Sequence, residues 1–509
     1  LAEATDEFQA DLPFKHIGSR SALFDMRVNN DISVLIGCGM GGTSLINGNV
    51  MLVPDRRVFE QERWPEKIQQ DFDTKLAEGF QRAQRMLQPV AYKDAKHLKK
   101  YQAFALAADK LQAECTHAPI TVTFDPDENG NAAGVVQEAC TLCGDCCSGC
   151  NIGAKNTTAL NYLPDAVNHQ AEIFTLTQVH HVEREQDQWK VFFQHIDEES
   201  GDFKKGTSTL TCDTLVLGAG TLGSTEILLR SQQHGLSLPE TLGANFSGNG
   251  DAIAFGYNND IEINGIGVGN PVKDAANPVG PVIAGLIDLR EKPEFEQGMV
   301  IQEGAIPSSL APIMPMLTAS MSPLFGEDTD EGRLWSSVVK GAYHGAVNSM
   351  QTFLVMAHDS SSGKLKLIKD RIRIHWPDAG KHPVYKKISD TLYKATEATG
   401  GTYIDNPIWS KVLGRNLVTV HPLGGCGMGE SSKTAVVDHK CRVFDKENNI
   451  HKGLYVMDGS IMPGSLGVNP SLTITALSER AMMYYAEDHN LSFDDAPAKN
   501  AAKRYVKKS

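Results

Sequence analysis

Three groups of side chains in this sequence could do chemistry. His421 stands in "VTVHPLGGCGMG", between an apolar strand and a Pro-Gly-Gly loop. A histidine that ends a strand, beside a loop without bulky side chains, is placed to act as a general base toward a ligand. As one of 16 histidines it could also be structural or solvated. Asn469 and Pro470, in "NPSLTITALSERAM", fit the N-cap and first turn of a helix. The free N–H groups of such a terminus would hold negative charge on a ligand, or merely cap a core helix. Cys140, Cys143, Cys146 and Cys150 form C-x2-C-x2-C-x3-C, with Cys147 in addition. That is the spacing of a bacterial ferredoxin iron–sulfur run. Asn151 stands where ferredoxins have proline, and no second cysteine run follows. A single cluster would use Cys150, or a distant thiol such as Cys115 or Cys212, as its fourth ligand. Zinc, a disulfide or plainly packed thiols are the alternatives.

Two glycine loops accompany these residues. In "SVLIGCGMGGTSLIN", Gly37, Gly39 and Gly42 match G-x-G-x-x-G. A dinucleotide fingerprint needs a helix next and then a strand ending in an acid. Here Gly48 and Asn49 are poor interior helix residues, and Pro54-Asp55-Arg56-Arg57 replaces the acid-ended strand. The loop therefore reads as backbone left bare for a flat ligand, or as a tight turn, and not as a pyrophosphate cradle. A second match, Gly218, Gly220 and Gly223 in "TLVLGAGTLGSTEILLRS", does have a strand before it and a helix after it. It too lacks the acid-ended strand.

The elements that must position these groups are readable in outline. Residues 57–113 carry apolar positions at helical spacing, as in "IQQDFDTKLAEGFQRAQRML". "EIFTLTQVHHVER", "WKVFFQH" and "TSTLTCDTLVLGAG" read as a meander of strands separated by polar turns. Residues 255–410 are rich in proline and methionine and mix strand with helix. "GLYVMDGSIMPGSLGVNPSLTITALSERAMMYYAEDH" is a strand, a loop and a helix. With 509 residues the chain can hold two or three domains. A net charge of −14 argues against nucleic acid or an anionic membrane as its main partner. No apolar run is long enough to span a bilayer, and the polar, acidic start "LAEATDEFQADLPFK" is unlike a secretory signal. The thiol density fits a reducing compartment, so a cytoplasmic location is expected.

Taken together, four blocks resemble the glucose–methanol–choline (GMC) flavin oxidoreductases, especially their cholesterol-oxidase-like bacterial branch. They are "GCGMGGTSLINGNVMLVPDRRVFEQERWP", "GCNIGAKNTTALNYLPDA", "LVLGAGTLGSTEILLRS…LGANFSGNGD" and "HPLGGCGMG…GLYVMDGSIMPGSLGVNPSLTITALSER". The resemblance implies an α/β (mixed α+β) fold. A glutathione-reductase-like FAD-binding domain with a β-meander would be joined to a substrate domain built on a mixed or antiparallel sheet with helices. The FAD domain would be discontinuous, over 1–56, 131–254 and 411–509. Residues 57–130 would be a helical insertion and 255–410 the substrate domain. The first βαβ unit, with the true pyrophosphate fingerprint, would lie upstream of Leu1 or on a separate chain.

The resemblance also implies roles. His421 would take the hydroxyl proton of an alcohol while hydride passes to the flavin, and Asn469 would orient the substrate oxygen or the flavin edge. Glu303, in "IQEGAIP", would be a carboxylate able to move a proton in an isomerisation. Gly39, Gly41, Gly42, Asn47, Val179, Gly220, Asp458, Gly459 and Pro470 would line the cofactor. The apolar stretch "SSLAPIMPMLTASMSPLFG" points to a hydrophobic, sterol-like alcohol. Some dehydrogenases of this family carry an iron–sulfur cluster near the flavin. The cysteine run therefore favours a dehydrogenase, passing electrons to a protein or quinone, over an oxidase. Two other readings stand beside this one. The first is a non-catalytic or electron-transfer subunit that keeps the fold and a cluster. The second is an NAD-dependent dehydrogenase, disfavoured because neither fingerprint has its acid.

Overall fold

The computed structural model describes residues 6–269, 276–321, 331–405 and 416–493. Strand β1 (Ile32–Gly37) is buried over its first half and runs straight into the glycine loop. A short 3-10 turn, Gly42–Leu45, follows, and the chain leaves it through Asn49 at φ 71 instead of continuing as a helix. The region expected to be helical breaks into short helices and two longer ones, α1 (Lys75–Leu87) and α2 (Lys99–Lys110). In α1, Leu76, Phe80, Ala83 and Leu87 make the buried stripe. Gly79 sits in its middle at a cost of about 1 kcal/mol in helix propensity. A Cβ there would meet the Ala476 carbonyl oxygen at 2.4 Å, so this close helix crossing requires glycine.

The meander is present as β2 (Thr177–Glu185), β3 (Gln188–His195) and β4 (Ser208–Cys212), all antiparallel. The first strand starts five residues later than the sequence "EIFTLTQVHHVER" implies. Strand β5 (Leu215–Leu217) then enters α3 (Gly220–Gln233).

A six-stranded antiparallel sheet forms the second half of the molecule. Its order is Thr402–Ile404, β6 (Ala252–Tyr257), β8 (Gln351–Ala357), β7 (Met299–Gly304), Gly285–Asp288 and Cys115–His117. Helix α2 and helix α4 (Pro383–Glu397) pack against it and against each other. Residues 99–117, from the stretch expected to be a separate helical insertion, thus supply a helix and an edge strand to this sheet.

Two parallel pairings place the loops. Strand β9 (Leu417–Thr419) pairs with β1, Thr419 opposite Val34. Strand β10 (Ile450–Val456) pairs with β5, Val456 opposite Leu217. Parallel neighbours send their following loops off the same edge, the usual place for a ligand in such sheets. The glycine loop and His421 therefore emerge side by side, as do Gly218–Gly220 and Asp458–Gly459. Helix α5 (Ser471–Asp488), the last among the described residues, lies along α1. No helix among the described residues is long and apolar enough to cross a membrane.

Candidate active site

His421 lies two residues beyond β9, and its position is set by Asp251, which immediately precedes β6. One Asp251 oxygen accepts from the Thr419 hydroxyl at 2.7 Å, from the Val420 N–H at 2.9 Å and from the His421 N–H at 3.1 Å. The other lies 2.8 Å from His421 Nδ1. An ionised carboxylate only accepts, so Nδ1 carries the proton and Nε2 of the neutral ring keeps its lone pair. This one interaction fixes both the ring's orientation and its tautomer. Nothing local in the sequence marks Asp251 for this contact, which spans 170 residues.

Asn469 does not cap α5 as its neighbourhood suggested; the cap position falls on Pro470. Its side chain instead meets Gln302 of β7, with Gln302 Nε2 donating to Asn469 Oδ1 at 2.6 Å. Both residues are buried.

Glu303, the next residue on β7, faces the other side of the sheet, as alternation along a strand requires. There it forms a fully buried pair with Lys100 of α2 at 2.6 Å, and it also accepts from the N–H groups of Ala284 and Gly285. The carboxylate is committed to an ammonium and two backbone donors, away from Asn469. The geometry gives the expectation of a proton-moving Glu303 no support.

The residues expected to line a cofactor fall into two groups. Gly39, Gly41 and Gly42 have φ of 131, 117 and 55, and a Cβ on Gly42 would meet nothing within 4 Å. The loop is tied down from "GAKNTT": the Thr158 hydroxyl donates to the Gly41 carbonyl at 2.9 Å. The fully buried Lys155 ammonium donates to the carbonyls of Leu45 and Asn47 at 3.0 and 2.8 Å. The second group is the β5/β10 edge. Gly220 (φ 77) donates its N–H to Asp458 at 3.0 Å, and the Ser460 N–H donates to the same carboxylate at 2.8 Å. Burial raises the Asp458 carboxyl above the usual range, and these donors oppose that rise. Asp458 thus acts as a brace between two loops. Gly459 accepts from the Gly424 N–H at 3.0 Å, which anchors the loop following His421. Val179 lies on β2, beside an irregularity in its pairing with β3.

These residues fit a flavin. Among the described residues, four polar atoms buried in these segments find no partner: Asn47 Oδ1 and both amide atoms of Asn49, just past the glycine loop, and the Thr473 hydroxyl in the first turn of α5. Buried amides left so are costly unless a ligand satisfies them. The space open above Gly42, Gly218 and Gly220 is the bare surface that close approach by such a ligand requires.

The cysteine loop sits beside this site. All ten cysteines are unpaired, so the disulfide alternative falls. Cys140, Cys143, Cys146 and Cys150 line one cavity of about 90 Å³. Among the described residues no three of their sulfurs lie within 4.8 Å of one another. A single zinc ion, with Zn–S of about 2.3 Å, would draw them closer than that. Burial pushes the Cys140 thiol up to about 12, so it is not a nucleophile near neutral pH. Lys155 reaches this loop as well, donating to the Cys146 carbonyl at 3.0 Å.

Known proteins show the family. The two models of the GMC oxidoreductase family match residues 19–248 and 345–478. A cholesterol oxidase of Acinetobacter baumannii is 28% identical, over 92% of this chain and 84% of its own length. One from Mycobacterium tuberculosis is also 28% identical, over 89% of this chain and 78% of its own. Among solved structures, an FAD-dependent oxidoreductase from Chaetomium thermophilum shares the fold at TM-score 0.57 and 12% identity, covering 90% of this chain and 88% of that one. A fungal aryl-alcohol oxidase does so at TM-score 0.55 and 13% identity, over 90% and 87%. The names of these relatives give no support to a dehydrogenase in preference to an oxidase, to a non-catalytic subunit or to an iron–sulfur cluster. The two family models together cover most of the chain, and the chain belongs to the GMC oxidoreductase family, FAD enzymes that oxidise CH–OH groups.

Proposed function

We propose that this protein oxidises an apolar primary or secondary alcohol, using FAD held between the glycine loop, the β5/β10 edge and the start of α5. Bound there, FAD supplies the acceptor for the hydride that leaves the alcohol carbon. His421 Nε2 takes the hydroxyl proton, and the Asp251 carboxylate stabilises the imidazolium that forms. The Asn469 amide, steadied by Gln302, orients the alcohol oxygen. The observation that carries this reading is the Asp251–His421 contact, which leaves Nε2 as the free lone pair. An apolar substrate is supported by the relatives' names, cholesterol oxidase among them and long-chain-alcohol oxidase over a shorter match. Exposed Leu310, Ile313 and Met316 also support it, at the start of the apolar stretch whose residues 322–326 lie outside the described ones. The test is flavin content and turnover of the purified protein on cholesterol and on a long-chain primary alcohol, with oxygen or a dye as acceptor. Flavin retained with no activity on either alcohol would overturn the substrate class.

A second reading concerns the electrons. The cavity shared by Cys140, Cys143, Cys146 and Cys150 supports a polynuclear iron–sulfur cluster, whose sulfurs stand further apart than those around one ion. The Leu142 N–H points at Cys140 Sγ at 3.4 Å, a type of contact that tunes cluster potential. Lys155 would link such a cluster to the glycine loop, and the acceptor would then be a protein or quinone. Iron and sulfide analysis of protein purified without oxygen tests this: absence of both leaves oxygen as the acceptor.

A further inference from the structure

Outside the candidate active site, three imidazoles converge on one point. Successive residues of a strand face opposite sides of the sheet. His180 and His181 escape that rule because the pairing of β2 with β3 shifts between Val179, opposite Phe193, and His181, opposite Phe192. The extra residue of this bulge turns both rings to one place, and their Nδ1 atoms lie 2.9 Å apart. His234, just past the end of α3, stacks on His181 with ring centroids 3.8 Å apart, and Phe192 stacks on the opposite face of His181 at 4.2 Å. Ligand nitrogens of all three histidines lie within 4.8 Å of one another.

Their other ring nitrogens face carboxylates. His181 Nε2 is 3.2 Å from Glu183, His180 Nε2 is 3.4 Å from Asp370, and His234 Nδ1 is 3.6 Å from the same Glu183 oxygen. Carboxylates accept, so the protons of His180 and His181 belong on Nε2. Two lone pairs on Nδ1 then face each other at hydrogen-bond distance, which is repulsive unless something positive lies between them. Arg230, which shares Asp370 with His180, is committed to Asp370 at 2.7 Å and to Glu226. A metal ion resolves the conflict. With metal–nitrogen distances of about 2.0–2.1 Å, a 2.9 Å separation subtends an angle of about 90°, within reach of a four- or five-coordinate ion. Imidazoles whose outer nitrogens bond carboxylates are the usual form of such a site.

We propose that His180, His181 and His234 bind a divalent transition-metal ion of the zinc type, which braces the meander against the far end of α3. The exposed side of His234 leaves a coordination position for water. Helix α3 begins at Gly220, so the brace holds a helix whose other end is bonded to Asp458. The site needs neither the flavin nor the alcohol chemistry proposed above.

The test is titration of the chelator-washed protein with zinc chloride by calorimetry, and with cobalt chloride by visible absorption, at neutral pH. The expected result is one ion per chain, with cobalt ligand-field bands that zinc abolishes and a zinc-dependent rise in melting temperature. His234→Ala should weaken binding at least tenfold and abolish that rise. Glu183→Gln, which leaves all three ligands in place, should weaken it by about ten- to a hundredfold. His234 is exposed and Glu183 half-exposed, so both variants are expected to fold, and their metal-free melting confirms it. Absence of saturable binding, or wild type, His234→Ala and Glu183→Gln titrating alike, would overturn the site.

Discussion

Gln302 and Glu303 follow one another along β7, and the two sides of the sheet use them differently. Gln302 turns toward α5 and steadies Asn469, whose amide meets no other side chain among the described residues. Glu303 turns toward α2 and is closed off by Lys100 and two backbone N–H groups. The charged residue looks more like catalytic machinery, yet its carboxylate is committed to Lys100 and to backbone donors on the far side of the sheet. The Asn469 amide keeps hydrogen bonds to give, so its side is the one that can bind. A fully satisfied buried ion pair is a packing solution, whereas unspent hydrogen-bonding capacity marks a site.

The largest effect expected on the open side comes from His421. His421→Gln keeps a polar side chain there but removes the base, and turnover should fall by about 10²–10⁴-fold. Flavin absorbance should persist, because the residues that fit the cofactor are elsewhere. Turnover within threefold of wild type would transfer the role of base to another group and break the contrast between the two sides. Next in size is the closed side. Lys100→Met leaves the Glu303 carboxylate buried without its cation and should cost about 3–5 kcal/mol in denaturant unfolding. The double change Lys100→Met with Glu303→Gln should recover most of that loss, since no charge then remains buried and the amide oxygen still accepts from the Ala284 and Gly285 N–H groups. Loss of turnover in the double variant at normal stability would show that Glu303 does act in the reaction.

What could be read from the sequence follows the same division. His421 was legible because a strand and a glycine-rich loop flank it locally, and the bare glycine loop because Gly48 and Asn49 rule out a helix. Asp251 was not, because it lies 170 residues from His421, and only the meeting of β6 with β9 brings them together. Alternation along β7 shows that 302 and 303 face opposite sides. It cannot show which side holds the ligand, because Lys100 comes from a helix 203 residues away. The meander was visible as three runs. The bulge at His180 was not, because no residue type there demands one. Helix α2 read as part of an insertion because its buried face records that it packs, but not against what.

A buried group with only a weak partner refines the contrast through pH. His358 follows β8; its ring packs against Gly467 and lies 3.2 Å from the Ser465 hydroxyl. Burial above all lowers its pKa from 6.5 to about 4. The unfolded chain therefore takes up a proton that the folded chain refuses. Stability from this group is complete above about pH 6.5 and declines as pH falls toward 4, by up to about 3 kcal/mol. His358→Asn should flatten that part of the pH–stability curve; an unchanged curve would mean that the ring is hydrated.

The smallest effect separates positioning from packing on the open side itself. Gln302→Leu leaves the Asn469 amide buried and without its partner, at an expected cost of about 1–3 kcal/mol in stability. If Gln302 merely filled space, leucine would serve nearly as well and kinetics would not change. If it holds Asn469 toward the alcohol oxygen, kcat should fall with KM little altered, because orientation counts most in the transition state. Gln302→Glu distinguishes the two further. It restores an acceptor for the Asn469 amide N–H, so an orienting role predicts partial recovery of kcat. A role in packing alone predicts none, since a carboxylate buried beside the flavin site fills the same volume at greater electrostatic cost.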